Sequence, residues 1–117
     1  MFISQVRNRY TPLHDLKWSA AEKVIARTAF DRALKQELDA VIEKTKSMAQ
    51  KIQQPACVWK LESFLTKRRN EIDCEYDYRY SILPFVFSAL IRKGRLSEED
   101  LQGLREDKMR YIRKFAA

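Results

Sequence analysis

Apolar or weakly polar side chains fall at Phe30, Leu34, Leu38, Val41, Thr45, Met48 and Ile52, with Ile42 and Ala49 widening the stripe. This spacing, mixing threes and fours, belongs to one face of an amphipathic helix. Ser19 and Glu22 stand at the separation of a capping box, in which hydroxyl and carboxylate each satisfy a backbone N–H at a helix start. The helix is therefore expected to begin after Ser19 and to reach Gln54, stopping before Pro55, which opens the next helix at its first turn. About 35 residues of helix are roughly 50 Å long. A compact domain of this mass cannot cover that length by folding back on itself. Part of the stripe, comprising Leu34, Leu38, Val41, Ile42 and Met48, is expected to meet a second copy of the chain, in a parallel or an antiparallel sense.

A second helical segment is expected from about Ala56 into the region of Asp73, with Val58, Leu61, Leu65 and Ile72 on one face and Arg68 interrupting it. Cys74 to Ser81 alternates somewhat like a strand through Tyr76, Tyr78 and Tyr80. A lone strand has no partner for its backbone donors, however, so helix or turn is expected there. Pro84 lies inside the apolar run Ile82 to Ile91, where a helix-interior proline costs about 3 kcal/mol, which predicts a kink or a restart. Gly94 suits the left-handed position past a helix end. Ser97 with Asp100 repeats the capping pattern for a last helix, whose stripe is Leu101, Leu104, Tyr111 or Ile112, and Phe115, with Lys108 as a gap. Residues 1–17 show no sustained period and read as a weakly ordered arm, and residues 18–117 as a single helical domain. The fold class is all-α: a long amphipathic helix followed by shorter helices, assembled as a homodimer.

Composition agrees. Only two Gly and three Pro interrupt 117 residues, too few turn residues for a sandwich or barrel. The net charge of +7 arises from 23 basic and 16 acidic residues. Because the two signs are interspersed, the charge reads as a solvated helical surface rather than a nucleic-acid footprint. No apolar run approaches the roughly 20 residues that span a bilayer. Met1 to Tyr10 contain no apolar core of a secretory leader, so a cytoplasmic location without membrane insertion is expected. Cys57 and Cys74 are too few and too far apart for a zinc motif, and His14 does not complete one. They read as reduced structural thiols. There is no glycine-rich phosphate loop and no nucleophile with a base, so neither catalysis nor a metal or cofactor is expected.

The run Trp59-Lys60-Leu61, then Phe64-Leu65, Arg69 and Glu71-Ile72-Asp73, resembles the cyanobacterial fluorescence recovery protein family. The likeness continues through Tyr76-Asp77, Arg79, Ser81 and Phe85-Val86-Phe87, and more thinly through Gly94, Glu99, Leu101, Leu104 and Asp107-Lys108. The resemblance implies a helical homodimer that binds the photoactivated orange carotenoid protein and speeds its return to the inactive form, ending photoprotective quenching. It also implies a patch near the dimer seam. Trp59 and Arg69 occupy the family's Trp and Arg positions, while the His and Asp positions hold Glu62 and Ser63. Trp59, Glu62 or Ser63, Thr66, and Arg69 or Asn70 recur every three to four residues, as on one helix face. Arg69 is also spaced to pair with Asp73, and Trp59 to pack at a helix seam. Phe85 matches a family Phe at a client-facing surface and lies in an apolar run that reads equally as core.

Two other readings stand beside this one. A homologue with the same dimeric fold serves a different protein client, which the Glu62 and Ser63 positions favour. Alternatively, Lys67, Arg68, Arg69 and Arg92, Lys93, Arg95, with tyrosines nearby, form a nucleic-acid surface whose affinity would fall steeply with salt.

Overall fold

The structure is a computed structural model and describes residues 12–117. These residues form four α-helices and no strand: α1 Ala20–Gln50, α2 Pro55–Glu75, α3 Leu83–Arg92 and α4 Glu106–Ala116, with short 3-10 helices at Leu13–Asp15 and Glu98–Leu101. None of the described helices is long and apolar enough to cross a membrane. Residues 1–11 of the expected arm lie outside the described residues. The rest of that segment contributes one 3-10 turn and a buried Leu16.

Helix α1 starts where the capping box places it. The Ser19 hydroxyl accepts from the Glu22 backbone N–H at 3.1 Å, and the Glu22 carboxylate accepts from the Ser19 N–H at 3.0 Å. Its end departs from expectation. The helix stops at Gln50, and residues 51–54 turn the chain so that Pro55 opens α2 as its first residue. A proline disfavours helical geometry in the residue before it, and Gln54 is accordingly extended. Helices α1 and α2 thus form a hairpin.

The core lies at one end of this hairpin. Leu83, Phe87, Leu101 and Ile112 are fully buried there against Ala26, Phe30 and Ala33 of α1. The small alanines let α3, the Glu98–Leu101 turn and α4 approach the first half of α1 closely. The buried face of α1 is Glu22, Ala26, Ala29, Phe30, Ala33 and Glu37, rather than the Leu34–Leu38–Val41 line. Leu34, Val41 and Met48 are half-buried, and Leu38 and Ile42 are 44% and 49% exposed.

Pro84 produces a restart. Helix α3 begins at Leu83, so the proline sits in the first turn, where its missing N–H costs nothing. Cys74 and Glu75 complete α2, and Tyr76 to Arg79 then run without regular structure. The alternation in this segment is real although no strand forms. Tyr76 and Tyr78 meet the Phe30 ring edge-on at 5.6 and 4.9 Å, and Tyr80 packs on Trp18 at 5.4 Å. Gly94 ends α3 at φ 81°, as expected. Ser97 and Asp100 do form a capping box, but it caps the 3-10 turn; the last helix starts later, at Glu106. Between them Gly103 takes φ 107°, a backbone conformation strained for any residue with a Cβ, so the position favours glycine.

The described residues measure 69 × 28 × 21 Å with a radius of gyration of 18.6 Å. A compact domain of this length has a radius near 13 Å. The distal half of the hairpin therefore projects from the core as an arm.

Candidate functional site

Helix α2 carries the candidate patch and has no buried residue of its own. It touches α1 along a seam marked by Val41 and Arg68. Arg68, the interruption in the α2 stripe, is held there by Glu37 at 2.5 Å and Glu71 at 2.8 Å. Trp59 precedes Arg68 by nine residues, which at ~100° per residue places it on the opposite, outward side of the helix. The indole is 65% exposed. With Ile52, Pro55 and Val58 it borders an open apolar depression at the hairpin tip. The expected packing of Trp59 at a helix seam is not made within one chain.

Glu62 and Ser63 are exposed on the same outward side as Trp59. Glu62 accepts a hydrogen bond from the Thr66 hydroxyl at 3.2 Å, one turn on. Arg69 lies about 15 Å along the helix from Trp59, on the side that carries Leu38, Leu65 and Ile72. Its expected pair with Asp73 does not form, and among the described residues Arg69 joins no ion pair. Phe85 is on α3, half-exposed, with its ring 5.2 Å from Phe115. The expected residues therefore form two separate groups within one chain: Trp59, Glu62, Ser63 and Arg69 along one broad exposed face of α2, with Arg69 two turns beyond Glu62 at the edge that borders Leu65 and Ile72, and Phe85 on the core.

Glu37 escaped the sequence reading, and Glu22 was legible in it only as a cap, not as a buried carboxylate. Glu37 is 1% exposed and sits where α1 leaves the core. It accepts from Arg68, from the Tyr76 hydroxyl at 3.0 Å, from Lys93 Nζ at 2.9 Å and from Arg95 at 3.3 Å. Burial opposes its charge, but the hydrogen bonds from Lys93 and Tyr76 and the charges of Lys93 and Arg95 outweigh it. The carboxyl is held below its ordinary value. Burial and the bond to Glu37 push the Tyr76 phenol up. Of the six cations of the nucleic-acid reading, Arg68, Lys93 and Arg95 are thus turned inward onto one carboxylate.

Glu22 and Lys108 form the second site. Lys108, the gap in the last stripe, is fully buried, with its ammonium 3.1 Å from Glu22 and bonded to the Lys17 carbonyl. Glu22 also accepts from the Arg105 N–H at 2.9 Å. Burial works against this carboxylate too, yet the Arg105 and Ser19 backbone bonds and Lys108 hold it below its ordinary value. The available signal was an acid on the alanine-rich face of α1 and a lysine inside an apolar stripe. Among the described residues, no three His, Cys, Asp or Glu side chains are grouped to hold a metal ion.

The arrangement offers exposed apolar and charged surface, as a binding protein does, and comparison with known proteins agrees. Residues 18–116 match the family described as photoprotection regulator fluorescence recovery protein. A fluorescence recovery protein of Synechocystis sp. PCC 6803 is 38% identical over 99 residues, 85% of this chain and 91% of that protein. The solved structure of the Fremyella diplosiphon fluorescence recovery protein superposes with a TM-score of 0.82 at 39% identity, covering 86% of this chain and 98% of that one. The Synechocystis structure does so at 0.81 and 38%, with the same coverage. Sequence over all four helices and their arrangement in space lead to one conclusion: this chain belongs to the fluorescence recovery protein family of photoprotection regulators.

Proposed function

We propose that the chain is a dimeric, non-enzymatic regulator in the cytoplasm that binds photoactivated orange carotenoid protein and accelerates its return to the inactive form, ending photoprotective quenching. Family membership across residues 18–116 carries this reading. The projecting arm supports it, because Leu38, Ile42, Val58 and Leu65 are each about two-fifths or more exposed, an apolar side that a second copy covers. No bond of the client is made or broken. A protein of this kind speeds the return by binding the path between the open and closed forms more tightly than it binds the open form itself. Mixing the chain with photoactivated carotenoid protein is expected to speed the colour reversal several-fold, and an unchanged rate rejects the client.

A second reading is favoured by one observation. Glu62 and Ser63 stand where the family carries His and Asp, and Glu62 is turned to Thr66. A homologue with the same fold and a different protein client fits those two residues. Glu62→His with Ser63→Asp separates the readings. If the carotenoid protein is the client, the double variant recovers it at least as fast as the unaltered chain. If the client is different, the unaltered chain is inert and only the variant acquires activity.

A further inference from the structure

The α1–α2 hairpin shows two sides of different character. One, through Leu38, Leu65 and Ile72, is the apolar side assigned above to self-association. The other holds a groove of about 260 Å³ between Ala40 and Lys44 of α1 and Phe64 of α2. It continues toward the tip as a depression of about 170 Å³ lined by Met48, Lys51, Cys57 and Lys60. Lys67, seven residues after Lys60, falls on the same face.

Charge on this side is unbalanced. Near the core, many cations are matched locally, as Arg27 is with Asp31, Lys35 with Asp39, Lys93 with Glu75 and Arg113 with Glu98, while among the described residues Lys17, Lys23 and Arg105 are scattered without an ion pair. Among the described residues, Lys44, Lys51, Lys60 and Lys67 join no ion pair within 4 Å; the acids nearest them are Glu43, 4.0 Å from Lys46, and Glu71, which is bonded to Arg68 and acts on Lys67 only at longer range. Residues 1–11 contain no Asp or Glu, so that segment cannot supply the missing anions. Two rows of lysines, none of them in an ion pair, flank a strip of Met48, Cys57 and Phe64, all half-buried.

We propose that this side of the hairpin docks an acidic, amphipathic helical segment of a partner protein. The segment's apolar face rests on Met48, Cys57 and Phe64, and its carboxylates reach the four lysines. A polynucleotide is the poorer match. The floor is apolar and holds a single half-buried ring, Phe64, where base stacking along a strand would use a series of exposed ones. Because the self-association side is elsewhere, docking does not compete with it.

The test uses the full chain, isotope-labelled, at low salt, with a synthetic amphipathic peptide of about 20 residues carrying Glu on one face and Leu on the other, long enough to span the groove. A thymidine oligonucleotide is run in parallel. Peptide binding is expected to shift amide resonances of residues 40–51 and 57–67 and to slow alkylation of Cys57. Four partly exposed ion pairs are each worth a few tenths of a kcal/mol. Replacing Lys44, Lys51, Lys60 and Lys67 with Gln should therefore weaken binding by about five- to tenfold, and replacement with Arg should preserve it. Circular dichroism confirms that the variants remain helical. The proposal is overturned if the peptide does not bind, if binding ignores the lysines, or if the shifts cluster at Leu38 and Leu65. It is also overturned if the oligonucleotide binds through the same lysines more tightly than the peptide.

Discussion

Lys108 shows how much depends on a single side chain. Its ammonium is fully buried against Glu22, which also receives the Arg105 and Ser19 N–H groups. Removing one member of such a pair leaves the other as an unmatched buried charge, at a cost of about 3–5 kcal/mol. Lys108→Met keeps the length and apolar stem, so it isolates the charge. It is expected to lower stability by ~3 kcal/mol, measured as a shift of the urea midpoint at fixed protein concentration. Glu22→Gln with Lys108→Met should recover part of the loss, because the stranded carboxylate is then gone. The sequence hid this pair for a physical reason. The two residues are 86 positions apart; Glu22 alone reads as a helix cap and Lys108 alone as a gap in an apolar stripe.

At the scale of elements, Glu37 joins α1 to α2 through Arg68, to the tyrosine segment through Tyr76, and to the end of α3 through Lys93 and Arg95. Its folded value lies below the ordinary carboxylate value of about 4.3. The stabilisation is therefore complete above that pH and lost as pH falls through the folded value. Glu37→Gln is expected to cost ~2 kcal/mol at pH 7, as for hydrogen bonds to a charged group. It should also flatten the decline of the denaturation midpoint below about pH 4.3; a decline as steep as in the unaltered chain would show that other carboxylates govern it. The starts of α1, α2 and α3 were legible because their signals are local: a capping box, Pro55 and Pro84. The stop of α1 at Gln50 was not, because a four-residue reversal before Pro55 is set by the packing of α2 on α1. The second capping box misled about α4, since a box satisfies the first turn of a 3-10 helix as well as that of an α-helix. Trp59, Glu62 and Ser63 were legible as one face of a helix. Their separation from Phe85 was not, because it depends on how α2 and α3 pack on α1.

Taken whole, the molecule is a core with a projecting arm, and a radius of gyration of 18.6 Å reflects surface that one chain leaves uncovered. Leu38, at 44% exposure, lies on the apolar side of that arm and outside the core. Leu38→Glu is accordingly expected to give monomers in sedimentation where the unaltered chain gives the proposed dimer, while far-UV circular dichroism keeps its helical signal. Dimers that persist would place the self-association surface elsewhere, and a lost helical signal would assign the leucine to the core.

Helix α1 runs unbroken from the core into the arm, with its buried residues confined to the stretch from Glu22 to Glu37. One rod therefore has two environments, and its amides should exchange with deuterium in two regimes. Protection near Ala26, Ala29 and Ala33 reports the opening of the core and is insensitive to dilution. Protection beyond Val41 rests on whatever covers the arm. A single helix thereby carries its own internal standard: the ratio of slow to fast amides along it measures, residue by residue, how much of the protein in a sample is engaged with a companion.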